Sequence, residues 1–351
     1  MNLAAADQVA KAVLYEGYML YPYRPSAVKN QQRFNFGVVY PEAFSHLQSG
    51  LDPWTMQANC LVQGTNHSRL EVRVRFLQLV ERTVEEALFS GTGAQTAEFR
   101  RVQKLTVADR TFYSWQEAVE QDLEIVGAEL STLLHTPTML SFRLGASTSE
   151  EALCDTTGTT VGRIVRTRRE MNGRIRVAAH RLAEGTFRIE VRIENVTAID
   201  EVASASRDLA LTHSLVSAHI VLGIEHGDFV SLLDPPEALK SAAEDCHNQG
   251  VFPVLVGSPG QRDTVLASPI ILYDYPQIAP ESAGDLFDGT EIDEILSLRI
   301  MTMTDDEKHE MRESDERARQ MLERTESLPA EQFMKLHGVL RGLRSASGET
   351  R

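Results

Sequence analysis

The sequence predicts an α+β protein, with a mainly antiparallel, sandwich-like β-sheet body and a helical C-terminal region. Residues 69–77 alternate between apolar and charged side chains, which is the period of a half-buried antiparallel strand. Residues 163–194 repeat that alternation in three runs separated by turn-forming pairs. A capping sequence at residues 304–307 begins a highly charged helical pattern. With 351 residues, of which 42% are hydrophobic, the chain can bury a sizeable core.

The first part of the chain is predicted to be rich in β-strands, with one helix. The tyrosines between Leu14 and Phe36 indicate a strand pair with one buried face. They also alternate with bases, which would suit single-stranded nucleic acid, but the net charge of −15 opposes that alternative. Gly91–Thr96 is predicted to be a loop. Ser114 and Glu117 have capping-box spacing and predict a helix that begins near Trp115.

The middle of the chain is predicted to form an antiparallel meander. Glu150–Gly162 is polar and indicates a connection between two β-rich sections. Turns at Asn172-Gly173 and at Glu184-Gly185 would then join three alternating strands. The arginine-rich face of this meander could bind an anion, but the interleaved glutamates favour a solvated face. Leu209–Leu233 predicts a further strand pair with its turn at residues 226–228.

The C-terminal part is predicted to alternate between helix and strand before it becomes helical. Asp234, followed by two prolines and a glutamate, predicts a helix that ends near His247. Residues 251–256 and 264–273 read as strands on either side of a glycine-containing loop, which lacks the ending of a nucleotide-binding P-loop. Thr304 then caps a long charged helix.

The chain divides into four predicted sections. They are an N-terminal β-rich section (1–160), a second α+β section with the meander and an acidic loop and helix (161–303), a helical segment (304–344) and a disordered tail (345–351).

Composition and charge narrow the classes of function. A net charge of −15 disfavours binding to nucleic acid or to an anionic membrane. Cys60, Cys154 and Cys246 are far apart and odd in number, so neither a disulfide framework nor a paired-cysteine metal site is indicated. No basic-then-apolar leader and no membrane-spanning run is present in the sequence. We therefore expect a cytoplasmic protein without a cofactor.

The best candidate for a functional surface is residues 268–299, which carry seven carboxylates and no base before Arg299. The carboxylates belong to Asp274, Glu281, Asp285, Asp288, Glu291, Asp293 and Glu294. Their spacing does not match a calcium-binding loop. Two interpretations remain open. Thr290 could cap a helix whose first turn holds the last three acids, or the acids could form a docking surface for a basic partner.

A second candidate is a catalytic metal site formed by His219, His226 and Asp228. Histidine and carboxylate side chains on adjoining strands can hold a metal with an open position. His213 and His219, an even number of residues apart, could instead occupy one partly buried face of a strand, and no standard metal-binding spacing is present.

Three segments, Leu14–Arg24, Gly227–Pro236 and Ser268–Arg299, resemble a family of uncharacterised bacterial proteins encoded among the genes of nickel-iron hydrogenases. The resemblance spans most of the chain, and the third segment is its most distinctive part. It implies a non-catalytic accessory or maturation factor, whose partner is a hydrogenase subunit or another maturation protein. A metal-dependent enzyme that uses the 219–228 region is the alternative, and a homo-oligomeric structural protein is a third.

Overall fold

The computed structural model describes residues 3–14, 36–88, 98–276, 300–314 and 316–327. Its helices are α1 (Leu3–Leu14), α2 (Glu42–Leu47), α3 (Leu130–Leu133), α4 (Arg207–Leu211), α5 (Lys240–Glu244), α6 (Asp305–Ser314) and α7 (Glu316–Glu326). Its strands are β1 (Thr55–Leu88), β2 (Glu98–Val102), β3 (Lys104–Val107), β4 (Arg110–Tyr113), β5 (Trp115–Glu129), β6 (Thr138–Leu144), β7 (Ser147–Cys154), β8 (Thr160–Arg168), β9 (Met171–Ala183), β10 (Thr186–Asn195), β11 (Val216–Val230), β12 (Phe252–Leu255) and β13 (Thr264–Ser268). Within these ranges, eleven strands form one antiparallel sheet and β3 pairs with β4, which confirms the predicted antiparallel body.

The sheet is arranged around β1. A strand residue has one neighbouring strand on each side, and residues 61–63 pair with both β10 and β11. Residues 72–75 pair with both β11 and β5, so β5 lies on the β10 side of β1. Residues 80–82 pair with both β5 and β8, so β8 lies on the β11 side. Residues 84–86 pair with both β8 and β2, so β2 lies on the β10 side. The predicted strand over residues 69–77 is confirmed, because every second residue from Leu70 to Phe76 is buried. On the opposite face, Arg73 and Arg75 pair with Asp7 of α1.

A large bulge bends β1 near its middle. Between Gly64 and Arg69, four residues of β1 lie opposite His226 of β11, which has a φ of 58°. Beyond the bend the sheet folds back on itself. β6 is three strands away from β1 in the sheet order, and in a flat sheet the two strands would be about 14 Å apart. The ring centroids of Phe76 and Phe142 are nevertheless only 6.1 Å apart, so both halves of β1 face one shared core.

Helices and a hairpin cover the outer faces of the sheet. Helix α1 packs against β11 and β13, where Ala6 and Val9 contact Val221 and Leu266 in a second buried cluster. The β3–β4 hairpin packs on β8 through Phe112 and forms another cluster.

Two helices in the predicted C-terminal helical segment lie side by side. The capping box predicted at Thr304 is confirmed, since the Thr304 backbone N–H donates to Glu307 at 2.9 Å and the Glu307 backbone N–H donates to the Thr304 hydroxyl at 3.3 Å. The charged pattern nevertheless forms two helices rather than one. Lys308 and Arg312 of α6 both pair with Glu326 of α7, and α6 also contacts β4. Residues 328–344 of the segment lie outside the described part of the chain.

The helix predicted from Trp115 is wrong, because residues 115–129 form strand β5 along β1. Ser114 has the spacing of a cap but makes different hydrogen bonds. Its hydroxyl accepts from the Val84 backbone N–H at 2.9 Å and donates to the Val102 carbonyl at 2.7 Å. Pairing with a long neighbouring strand therefore overrides the local helix signal.

Only one of the two predicted turns of the meander is confirmed. Glu184-Gly185 joins β9 to β10, with Gly185 at a φ of 70°. Asn172-Gly173 lies inside β9 instead, and β8 pairs with β1 and β7 rather than with β9. Gly173 is needed there for close packing, because a Cβ atom at this position would lie 2.2 Å from the Phe142 ring.

Two further connections differ from the prediction. Residues 150–162 belong to the β7–β8 hairpin, whose turn is held by Asp155 accepting backbone N–H groups of Thr157 and Thr159 at 2.9 Å. Residues 216–230 form the single strand β11, since residues 226–228 continue the strand opposite the bulge of β1 and do not form a turn.

The predicted helix from Asp234 is reduced to a 3-10 turn, Glu237–Leu239, followed by the short helix α5. The last strand ends at Ser268 rather than at residue 273. The predicted sections 1–160 and 161–303 share the one sheet, because β1 pairs with β8, β10 and β11. The predicted Tyr-rich strand pair falls mainly on residues 15–35, outside the described residues, and the loop at 91–96 also lies outside them.

Candidate functional site

The described part of the acid-rich stretch is a loop over residues 269–276 that follows β13. Its side chains alternate in direction: Leu272 is buried against the α1 cluster, whereas Ile271 is 96% exposed and Tyr273 is 58% exposed. Two large apolar side chains therefore face solvent just before the acidic residues begin.

Asp274 fixes this loop to its neighbours. Its carboxylate accepts a hydrogen bond from the Leu255 backbone N–H at 2.8 Å and another from the Ser231 hydroxyl at 2.5 Å. The Ser231 hydroxyl oxygen in turn accepts the backbone N–H of Leu233 at 3.1 Å. This network joins the loop at 269–276 to the loop that carries Leu233, whose side chain is 51% exposed. We call Leu233, Ile271 and Tyr273 the apolar rim.

The structure thus gives Asp274 an anchoring contact beside the apolar rim. The other carboxylates predicted to bind a partner lie outside the described residues; they are Glu281, Asp285, Asp288, Glu291, Asp293 and Glu294. The sequence signal for this region was the run of acids, whereas the exposed apolar side chains could be recognised only from the fold.

The candidate metal ligands on β11 are not brought together. His219 is fully buried, and its Nδ1 lies 2.7 Å from the Ser217 carbonyl. His226 and Asp228 are exposed near the far end of the strand. Seven residues of extended strand separate the two histidines by about 23 Å. Among the described residues, no group of three His, Cys, Asp or Glu side chains is placed to hold a metal ion.

Burial dominates the chemistry of His219. Loss of solvent, assisted by the positive charge of Arg75, lowers the pKa of its imidazole from 6.5 to about 4, although the hydrogen bond with Ser217 acts in the opposite direction. His219 is therefore neutral at physiological pH. Within the described part of the chain, its Nε2 has no hydrogen-bond partner.

A second concave site, which we call the arginine cleft, lies between the sheet and the C-terminal helices. It has a volume of about 290 Å³. It is lined by Arg82, Arg110, Phe112, Glu117, Glu151, Ile164, Arg166, Arg312, Glu313 and Arg319. These residues come from β1, β4, β5, β7, β8, α6 and α7, so the cleft exists only where the hairpins and the helix pair meet.

Ion pairs organise the side chains of the arginine cleft. Arg166 donates to Glu117 at 2.9 Å and to Glu151 at 2.8 Å, and Arg82 lies 3.6 Å from Glu117. Burial opposes the charge of Arg166, but its bonds and charge interactions with the two glutamates outweigh burial and raise the pKa of its guanidinium.

The helix pair is attached to the opposite wall of the arginine cleft by a further ion pair. Arg110 of β4 lies 3.2 Å from Glu313 of α6. The guanidinium of Arg110 also lies 5.0 Å from the centre of the Phe112 ring, within the range of a cation–π contact.

The chain matches no protein-family model and no curated protein. Among solved structures, it is similar in part to the Salmonella SPI-1 type III secretion injectisome secretin InvG (residues 176-end) in the open gate state. The two are 11% identical with a TM-score of 0.14, and the alignment covers 63% of this chain and 64% of the secretin chain. A similarity this low carries no conclusion about fold or function.

The two surfaces differ in what they can do chemically. Arginine stays protonated at physiological pH, so the arginine cleft can supply positive charge and hydrogen-bond donors but not a proton acceptor from its guanidiniums. The apolar rim offers area that becomes favourable to bury against a partner. Within the described ranges, no helix combines the length and the apolar character that a bilayer crossing requires.

Proposed function

We propose that this protein is a non-catalytic accessory or maturation factor that docks on a nickel-iron hydrogenase subunit or on another maturation protein in the cytoplasm. The observation that supports docking is the exposure of Ile271 and Tyr273 on an anchored loop. The sequence resemblance of residues 14–24, 227–236 and 268–299 supports the choice of partner. We also propose that the β body is sandwich-like and that the C-terminal region is helical.

The three exposed side chains of the apolar rim have the apolar character of the central part of a protein–protein interface. Contiguous exposed apolar surface often marks contacts between proteins, and hydrogen bonds through Asp274 and Ser231 join the loops that carry the three side chains. The hydrogen bonds of Asp274 to Leu255 and Ser231 hold the two rim loops in place. Less conformational freedom is then lost when a partner covers the rim.

The acidic residues that follow the rim in the chain would supply electrostatic complementarity. Glu281 to Glu294 include six carboxylates and no basic residue. A basic patch on the partner would be attracted to them, and such attraction raises the association rate and favours the correct partner. Salt should therefore weaken the complex.

The test of the docking proposal is a pull-down with purified hydrogenase subunits and maturation proteins of the native host. We expect the wild-type protein to retain one of them, and Ile271→Ser with Tyr273→Ser to reduce its retention at least about tenfold. Leu47→Ser with Leu51→Ser is the matched control, because both leucines are exposed elsewhere, at the C-terminal end of α2 and just after it.

A second variant tests the acidic residues separately. Neutralising Asp285, Asp288, Glu291 and Asp293 to the corresponding amides should lower retention and remove most of its salt dependence. Failure to retain any hydrogenase component, or equal retention by the rim and control variants, would overturn the proposal. So would a partner-free protein that carries about one equivalent of metal, a result that would support the alternative of a metal-dependent enzyme.

A further inference from the structure

The residues that line the arginine cleft carry a net positive charge, whereas the protein as a whole carries a net negative charge. The chain has a net charge of −15, whereas the ten lining residues include five arginines and three glutamates. We propose that the arginine cleft binds a compact anion, a molecule that carries a carboxylate or phosphate group. This site is separate from the apolar rim, and its proposal does not depend on the docking function.

Several guanidinium donors of the cleft remain after the ion pairs are formed. Arg166 uses Nε and Nη1 for its two glutamates. Arg110 uses Nε and Nη2 for Glu313, and Arg312 uses Nη2 for Glu326. In the part of the chain that the structure describes, Nη2 of Arg166 and Nη1 of both Arg110 and Arg312 carry no hydrogen bond. Such donors match the oxygen atoms of carboxylates and phosphates.

The size and walls of the cleft define the class of ligand. A volume of about 290 Å³ is at the lower end of the range for ligand pockets, so the ligand is small. Phe112 and Ile164 provide an apolar wall and are both buried. Apolar walls reduce the competition from water and strengthen the attraction between a guanidinium and an anion.

A bound anion would also link two parts of the fold, because the arginines of the cleft come from both. Arg110 and Arg166 belong to the β part of the protein, whereas Arg312 belongs to helix α6. An anion that contacts all three would connect the helix pair to the sheet. Because a ligand that binds only the folded state stabilises it, anion binding should raise the temperature of unfolding.

The experiment is isothermal titration calorimetry of the full chain with sodium phosphate, with citrate, and with glycerol as a neutral probe. We expect saturable binding of phosphate or citrate, and none of glycerol. Arg110→Gln with Arg312→Gln should weaken binding and raise the dissociation constant at least about tenfold. The control, Arg69→Gln with Arg143→Gln, removes the same charge from two exposed arginines that each form one ion pair elsewhere. It should leave binding unchanged.

Thermal unfolding separates binding from a purely structural role. We expect phosphate or citrate to raise the melting temperature of the wild type and of the control, but not of the cleft variant. Binding of only one of the two anions supports the proposal and identifies the group. Absence of binding by both anions at millimolar concentration would overturn it. Equal weakening in the two double variants, or a less stable cleft variant with unchanged affinity, would also overturn it.

Discussion

Acid should destabilise this protein through His219. Burial holds the pKa of the folded imidazole at about 4, against 6.5 in the unfolded chain. Between those values the unfolded chain binds one more proton than the folded protein, so the free energy of unfolding decreases as the pH falls from 6.5 towards 4. Above pH 6.5 both states are neutral at this residue and it makes no pH-dependent contribution. A gap of about 2.5 pH units at 1.36 kcal/mol per unit corresponds to about 3 kcal/mol.

Urea unfolding measured at several pH values between about 4.5 and 7.5 tests this reasoning. His219→Leu should lose about 2 to 3 kcal/mol less than the wild type over that range, because the variant has no buried imidazole to keep neutral. His226→Leu is the matched control, since His226 is exposed on the same strand, and it should follow the wild-type dependence. If His219→Leu is destabilised by acid as steeply as the wild type, the assigned cause is wrong.

Three other changes test the packing, the helix cap and the cysteine environments. Gly173→Ala should destabilise the protein by about 1–3 kcal/mol in urea, since its Cβ would lie 2.2 Å from the Phe142 ring; a second change, Phe142→Leu, should recover part of the loss. Thr304→Ala should weaken helix α6 by about 1 kcal/mol, seen as faster amide hydrogen exchange there and not in β1. Iodoacetamide should modify the exposed Cys154 before Cys60, because burial raises the pKa of the Cys60 thiol; equal labelling by mass spectrometry would contradict this.

The sequence predicted those elements whose signals are local. The alternation over residues 69–77 identified part of β1 because one face of the strand is buried along that whole length. The turn at Glu184-Gly185 was predicted because glycine accepts the positive φ that the turn requires. The Thr304 and Glu307 side chains satisfy each other's backbone N–H groups without help from distant residues.

The failed predictions have a common physical cause in long-range packing. Asn172-Gly173 has the composition of a turn, yet the glycine serves to admit Phe142 of β6. The Ser114 hydroxyl has the spacing of a cap, yet it joins the strand that holds Val84 to the strand that holds Val102. Neither neighbour can be recognised from the residues next to the turn or the cap.

The two candidate sites also differ in whether local sequence or long-range packing brings their residues together. The acidic residues between 274 and 294 lie close together in the sequence, so the sequence alone reveals their combined charge. The arginine cleft depends on Arg82, Arg110, Arg166 and Arg312, which are distant in sequence and meet only through the hairpins and the helix pair. The interleaved glutamates of residues 163–194 favoured a solvated face, whereas Arg166 is paired with glutamates from two other strands, β5 and β7.

The length of β1 has a consequence for how the chain is synthesised. Its neighbours β10 and β11 are completed only when about 140 further residues have followed Leu88. At about 5–20 residues per second, β1 leaves the ribosome roughly 7 to 28 s before those partners are available. During that interval β5 can pair along one edge of the segment that holds Val72, Val74 and Phe76, but the edge that pairs with β11 has no partner strand. We therefore expect nascent chains of this protein to depend on a chaperone that shields β1 until β11 is made.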